Sequence, residues 1–326
     1  MTQQHFLVTG GAGFVGSHLV DQLLNVGHRV TVLDDLSVGT RANLMHHAET
    51  PTFHFVEGSV LDAPLVDRLV AACTGIYHLA AVVGVKYVVE DPLRGIWVNV
   101  RGTETVLEAA LRYQRKVLVV SSSEAYGKST QVPLREDAPT LLGATHVPRW
   151  SYALSKLLDE HLAFAYYRQH GLPTVAVRYF NAYGPRLDPR GYGSVVARFI
   201  TQARSGQPLT VYGDGQQTRS FTFVGDTVRG TIAAMETAGA EGQVFNIGNG
   251  REITIGALAE RIHALTGAAS AIQYIPATQA YGVDFEDTPR RVPDTRRAEQ
   301  VLGFKAQTSL EEGLQLTIRW FEEQGA

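Results

Sequence analysis

The chain has 326 residues, 44% of them hydrophobic and 19% charged, and a formal net charge of −3. Such a composition excludes disordered, fibrous and collagen-like classes, and the charge balance argues against a general nucleic-acid binder. Cys73 is the one cysteine, which excludes an intramolecular disulfide and a thiolate metal site.

In chain order, "HFLVTG", "RVTVLDD", "TFHFVEGS", "GIYHLAA", "KVLVVSSS" and "PTVAVRYFN" are short apolar runs of strand length. Between them, Ser17–Val26, Ala63–Cys73, Asn99–Arg112 and Tyr152–His170 carry apolar residues at helical spacing. Strands alternating with helices predict an α/β fold, a doubly wound parallel sheet of Rossmann type with helices on both faces. After Asn181 the pattern loosens into "YGPRLDPRGYGS", "SGQPLTVYGDGQQTRS" and "NIGNGREIT", read as loops. The expected organisation is a first lobe over 1–180 and a smaller substrate-binding lobe over 181–326, with a return segment to the first lobe near 221–236. The strand pattern begins by Phe6, leaving no room for a secretory leader, and no apolar run has the length of a membrane span. The expectation is a cytoplasmic protein without membrane or nucleic-acid partners and without a metal.

"VTGGAGFVGSHL" sets Gly10, Gly11, Gly13 and Gly16 between the first strand and the first helix. Glycines so placed allow a tight turn, close approach of backbone to a pyrophosphate, and close packing of helix on strand. The helix N-terminus adds unpaired N–H groups and a positive dipole end. The bland alternative is a turn and nothing more. Strand before, helix after and Asp34 at the end of the second strand, about 20 residues on, favour a dinucleotide site. Asp34 would accept from the ribose hydroxyls and repel a 2′-phosphate, so NAD is expected over NADP. Arg41, close by in sequence, weakens that preference slightly.

"WSYALSK" places Tyr152 and Lys156 four residues apart, on one face of a helix. A tyrosine has an ordinary pKa near 10, and a neighbouring ammonium favours the phenolate. The expected product is a general base with a lowered pKa, taking a proton from a sugar hydroxyl as hydride leaves the carbon. Taken alone, the spacing is equally an amphipathic helix face. "SSSEAYG", Ser121 to Gly127, follows the fifth strand and crowds hydroxyls and one carboxylate where a parallel sheet binds ligands.

The glycine motif, Asp34, "HLAA" (His78 to Ala81), the serines after "KVLVV", Tyr152 with Lys156, and "RYFNAYGP" fall in one order. Together they resemble the extended short-chain dehydrogenase/reductases that modify nucleotide sugars, over essentially the whole chain. The resemblance implies NAD as cofactor and a UDP-sugar as substrate. It also implies that Ser122 pairs with Tyr152 at the sugar O4 and that Asn181 and Arg219 contact the substrate, Arg219 at the diphosphate. By the same likeness Phe14, Val15, Asp35, Ser59, Val60, Leu79, Ala80, Ala81, Asn99, Ser121 and Tyr179 join the cofactor site. Val83, Lys86, Arg149, Val195, Val196, Tyr212 and Arg291 join the substrate site, and His78 is read as structural. Lys86 is equally a diphosphate or uronate ligand or a solvated loop lysine.

Within that family, dehydratases carry Thr-Asp-Glu at this strand end, and Ser123 stands here in place of the Asp. Simple 4-epimerases commonly lack a carboxylate at the position of Glu124, whereas UDP-glucuronate decarboxylases carry Ser-Glu, as in Ser123-Glu124. "PRWSY" (Pro148 to Tyr152), "FNAYGPRLD" and "YGVDFEDTPRRVPDTRRA" resemble the decarboxylases, including that of the aminoarabinose pathway, with Arg291 at the active-site arginine. "AVVGVKYVVEDP" (Ala81 to Pro92) departs from them and is similar to epimerase relatives. The implied reaction is decarboxylation of UDP-glucuronate through a 4-keto intermediate, with Tyr152, Lys156, Ser122, Ser123, Glu124 and Arg291 catalytic. The alternative is a 4-epimerase on UDP-glucose or UDP-glucuronate. A non-enzymatic dinucleotide sensor is disfavoured because Tyr152 and Lys156 are both kept. Apolar residues beyond a single stripe on Asn99–Arg112 and Tyr152–His170, such as Tyr166 and Tyr167, match helices that the family pairs into a twofold homodimer.

Overall fold

Seven parallel strands form the central sheet in the order β3–β2–β1–β4–β5–β6–β11. They are β1 His5–Thr9, β2 Arg29–Asp34, β3 Phe53–Glu57, β4 Gly75–His78, β5 Lys116–Ser122, β6 Thr174–Tyr179 and β11 Val244–Ile247. The computed structural model describes residues 2–84, 91–189, 194–276, 279 and 288–324. Strand side chains alternate between two apolar layers, as a sheet covered on both faces requires. Phe6, Val8, Val30 and Val32 enter one core with Leu19, Val20 and Leu23 of α1 (Phe14–Asn25) and Val228 and Met235 of α6 (Val224–Glu236). Leu7, Leu33, Ile76 and Val117 enter the other with Val66 and Val70 of α2 (Ala63–Ala72), Val106 and Ala110 of α3 (Pro92–Tyr113), and Ala163 of α4 (Arg149–His170).

All six expected strands are present, and β11 adds a seventh beside β6, in register Val244↔Ala176 to Ile247↔Tyr179. The first two residues of "NIGNG", expected as loop, are the end of this short edge strand. Helices α3 and α4 start before the expected bounds. Asp91 caps α3 by accepting from Arg94 N, with Pro92 in the first turn, where its missing N–H costs nothing.

A second core lies beyond β6. Val196, Phe199 and Ile200 of α5 (Val195–Arg204), Leu258 and Ile262 of α7 (Ile255–Thr266), and Leu314, Ile318 and Phe321 of α9 (Leu310–Glu323) pack with Leu209 and Val211 of β8 (Leu209–Tyr212). A three-stranded sheet joins β9 (Thr218–Ser220) to β12 (Glu252–Thr254) and β14 (Arg290–Arg291). Among the described residues, no helix is long and apolar enough to cross a membrane.

Candidate active site

Strand order reverses between β1 and β4, so the loops after these two strands splay apart and leave a crevice at the carboxyl edge of the sheet. A cavity of about 360 Å³ opens there. The two loops touch at its floor: Gly10 has φ +71°, and a Cβ on it would stand 2.7 Å from Ala80 N. A Cβ on Gly16 would stand 2.2 Å from the Gly10 carbonyl oxygen. Only glycine lets α1 begin this close to the turn, and the first residues of the helix line the cavity, where the unpaired amides of a helix N-terminus suit an anion.

Gly10, Gly13, Phe14, Val15 and Gly16 line one end of the cavity with Asp34 and Asp35. Asp34 Oδ2 accepts from Ala12 N and Oδ1 from Leu36 N, each at 2.9 Å. Burial raises the Asp34 pKa and the two backbone donors oppose that rise. Each oxygen keeps a lone pair, the chemistry that a ribose diol needs. Arg41 is committed elsewhere, donating to Glu57 Oε2 at 3.0 Å and stacking on Phe55.

Val60, Leu79, Ala80, Ala81, Val83, Ser121, Ser122, Tyr152, Lys156 and Tyr179 line the rest. Ser59 and Asn99 do not. Asn99 instead fastens the loop after β4, accepting from Val82 N at 2.8 Å and donating to Ser155 Oγ at 3.0 Å. Sequence reasoning missed Ser37, Val38 and Gly39, and also Leu187, Asp188 and Ser194, which reach the cavity from the second half of the chain. Gly39 was the one available signal: a Cβ there would lie 2.7 Å from the Ala12 carbonyl carbon.

The Ser122 side chain lies close enough to the Tyr152 phenol to favour its ionised form. Its pKa is raised rather than lowered. Burial outweighs the help of Lys156 and Ser122, and the charges of Glu124 and Asp159 push the same way. The sequence expectation failed because burial prevails over the ammonium. Lys156 Nζ donates to Asp159 Oδ2 at 3.0 Å, both side chains nearly inaccessible, so a carboxylate that disfavours the phenolate lies beside the ammonium that favours it. His78 sits below with both ring nitrogens on hydroxyls, Nδ1 on Thr9 at 2.8 Å and Nε2 on Thr103 at 3.1 Å. Burial, assisted by Lys156, brings its pKa down to about 3, so it stays neutral. Ser121 donates to Glu160, which Arg178 grips with two bonds at 2.8 and 2.7 Å.

Glu124, in the single turn Ser123–Tyr126 after β5, stands between two arginines. Arg291 Nη1 donates to Oε1 at 2.6 Å, and Arg149 Nη2 lies 3.3 Å from Oε2. Burial alone would raise the Glu124 pKa, but Arg291 and Arg149 hold it down at about 2. Ser123, beside it, is buried. Arg291 and Arg219 are direct neighbours across β14 and β9, with Arg219 donating to the Thr218 and Thr288 carbonyls. Like charges side by side on paired strands are unfavourable without an anion. Asn181, at φ +37°, donates to the Ser220 carbonyl at 2.7 Å. Val195 opens α5, the Val196 side chain is buried in the second core, and Tyr212 stacks under Arg198 at 4.1 Å. None of these three lines the cavity. Lys86 lies outside the described residues, as do 281–287 of the arginine-rich stretch.

A glycine cradle, a diol-binding carboxylate and a Tyr–Lys pair around one crevice define a dinucleotide-dependent Rossmann-type enzyme. Residues 6–248 match the NAD dependent epimerase/dehydratase family, and the chain belongs to it. It is an NAD-dependent enzyme of the extended short-chain dehydrogenase/reductase type. It is 43% identical over 317 residues to the UDP-N-acetyl-alpha-D-glucosaminuronate decarboxylase of Bacillus cytotoxicus, covering 97% of each chain. It is 36% identical to UDP-glucuronic acid decarboxylase 1 of Danio rerio, over 99% of this chain and 73% of that one. The UDP-glucuronic acid 4-epimerase of Bacillus cereus, solved with UDP-glucuronic acid and NAD, superposes with a TM-score of 0.88 at 29% identity, covering 98% of this chain and 99% of that one.

Proposed function

We propose that this enzyme decarboxylates a UDP-linked uronate, UDP-glucuronate first among them, through a 4-keto intermediate. The observation that carries the reading is Glu124 held between Arg149 and Arg291 beside the Tyr152 phenol. NAD in the cavity would be held by the Gly10–Gly16 turn and Asp34 and supplies the reversible oxidant for the sugar C4. Tyr152 takes the O4 proton, with Ser122 hydrogen-bonded to the same oxygen and Lys156 stabilising the phenolate. Oxidation leaves a ketone β to the C6 carboxylate, and CO₂ departs as its electrons move into that carbonyl; a proton taken up at C5 and the hydride returned to C4 then give the pentose.

Arg291 and Arg149 converge on Glu124, and guanidiniums so placed favour an anion beside them: the substrate carboxylate before the step and enolate charge during it. With its pKa held at about 2, Glu124 is not a proton donor at neutral pH. Its part is to orient the arginines. Arg219, next to Arg291, would hold the diphosphate. The second core, within 181–326, would grip the nucleotide sugar, the segment near 221–236 returning to the sheet.

A 2-acetamido uronate is a second substrate reading, because the relative with 43% identity is named for one. Epimerisation at C4 is the competing outcome, and the Bacillus cereus relative is named for it. Incubation with UDP-glucuronate, its 2-acetamido analogue and UDP-glucose, with products followed by NMR, separates the three. The expected result is a pentose product from a uronate; C4 epimers with the carboxylate retained would replace the proposal with the epimerase.

A homodimer is part of the proposal. Leu93 and Trp97 on α3 and Leu154 on α4 are 64%, 51% and 55% exposed. This apolar face covers neighbouring helices of the kind that pair across a twofold axis.

A further inference from the structure

Outside the cofactor cavity, Asp21 on α1 gathers three basic side chains. His46 Nε2 and His47 Nε2, from the 3-10 segment Arg41–His47, lie 2.9 and 2.8 Å from Asp21 Oδ1. Arg186, from the turn after β7 (Ala182–Tyr183), donates to Asp21 Oδ2 at 2.7 Å. The two imidazole rings are 4.0 Å apart, and the two Nε2 atoms and a carboxylate oxygen all lie within 4.8 Å of one another.

We propose that Asp21, His46 and His47 form a site for a dication of the zinc type, and that filling it opposes NAD binding. Two imidazole nitrogens and a carboxylate oxygen suit borderline transition ions. Tetrahedral zinc with ligands near 2.0–2.1 Å spaces those ligands about 3.3 Å apart. The two nitrogen–oxygen separations of 2.8 and 2.9 Å need to open by only a few tenths of an ångström, and the third pair lies within 4.8 Å. Nothing in the sugar chemistry calls on these residues. His46 is half exposed, which gives water an open coordination position.

The link to NAD runs through Arg186. Its φ is +66°, an uncommon and costly conformation for a residue with a side chain. Its buried Nη1 has no hydrogen-bond partner, so the pairing with Asp21 is what holds the guanidinium in place. His18 Nε2, bonded to the Pro185 carbonyl at 2.9 Å, is the other tie between α1 and this turn. The next two residues, Leu187 and Asp188, are walls of the cofactor cavity. A dication on Asp21 competes with Arg186 for the carboxylate, relaxes the turn and withdraws that wall. By linkage, NAD must weaken the metal by the factor by which the metal weakens NAD.

The test is calorimetric titration of the whole protein with Zn²⁺ at low and at saturating NAD. The expected result is one site that NAD weakens about fivefold or more. A His46→Gln/His47→Gln variant with an unchanged thermal melt should bind zinc at least about tenfold more weakly. Arg186→Gln should retain the site and lose most of its sensitivity to NAD. Zinc affinity that the histidine variant leaves unchanged would overturn the site. Affinity indifferent to NAD in the unmodified protein would overturn the antagonism.

Discussion

At the active-site tyrosine, burial and an ammonium pull in opposite directions, burial prevails, and Asp159, paired with Lys156, adds a smaller push the same way. Tyr152→Phe removes the ionisable oxygen at nearly constant shape. Turnover should fall by about 100-fold or more while nucleotide-sugar binding survives, as product formation and calorimetry would report. Asp159→Asn removes a negative charge that raises the phenol pKa, so the acid limb of the pH–rate profile should move to lower pH. An unmoved limb would mean that Asp159 does not act on the base. Glu124 carries a different sign of pH dependence. Its folded pKa is about 2 against an ordinary 4.5, so its pairing stabilises the fold fully above pH 4.5 and is lost as pH falls towards 2. The shift corresponds to about 3 kcal/mol at most. Thermal melts of Glu124→Gln should show lower stability at neutral pH and a flatter decline through that acid range.

Among the elements, the turn between β1 and α1 tolerates little change. A methyl group at Gly16 meets the Gly10 carbonyl at 2.2 Å, and backbone cannot give way as a side chain would. Gly16→Ala should weaken NAD binding and destabilise the protein by about 1–3 kcal/mol. Gly250→Ala, where a Cβ meets nothing within 4 Å, should be silent in both the NAD titration and the melt. The same turn was plain in the sequence, because glycine spacing, a strand before and a helix after are all local. The other six strands were equally legible as short apolar runs. What escaped was set by distant pairing. Val244–Ile247 becomes a strand only because β6 lies beside it, and four residues followed at once by the turn-forming "GNG" carry little signal alone. The starts of α3 and α4 were obscured because Leu93, Trp97 and Leu154 face outward and blur the core-facing period. Glu124, Arg149 and Arg291 were named separately, but their closure into one cluster joins positions that only the tertiary fold brings together.

For the whole molecule, those outward apolar residues predict an assembly. Trp97→Arg combined with Leu154→Arg should convert a dimer to a monomer in sedimentation at micromolar concentration, because a charge at the centre of such a patch is left desolvated without a partner. A parent protein that already sediments as a monomer would remove the homodimer from the account. The central claim concerns the fate of the C6 carboxylate once C4 is a ketone. The most direct measurement gives the NAD-loaded enzyme UDP-glucuronate labelled with ¹³C at C6 and follows the label by NMR. The account predicts that the label leaves as CO₂ and bicarbonate in step with the formation of a UDP-pentose, and that Arg291→Lys slows this release. Label retained on a sugar that has only changed configuration at C4 would contradict it.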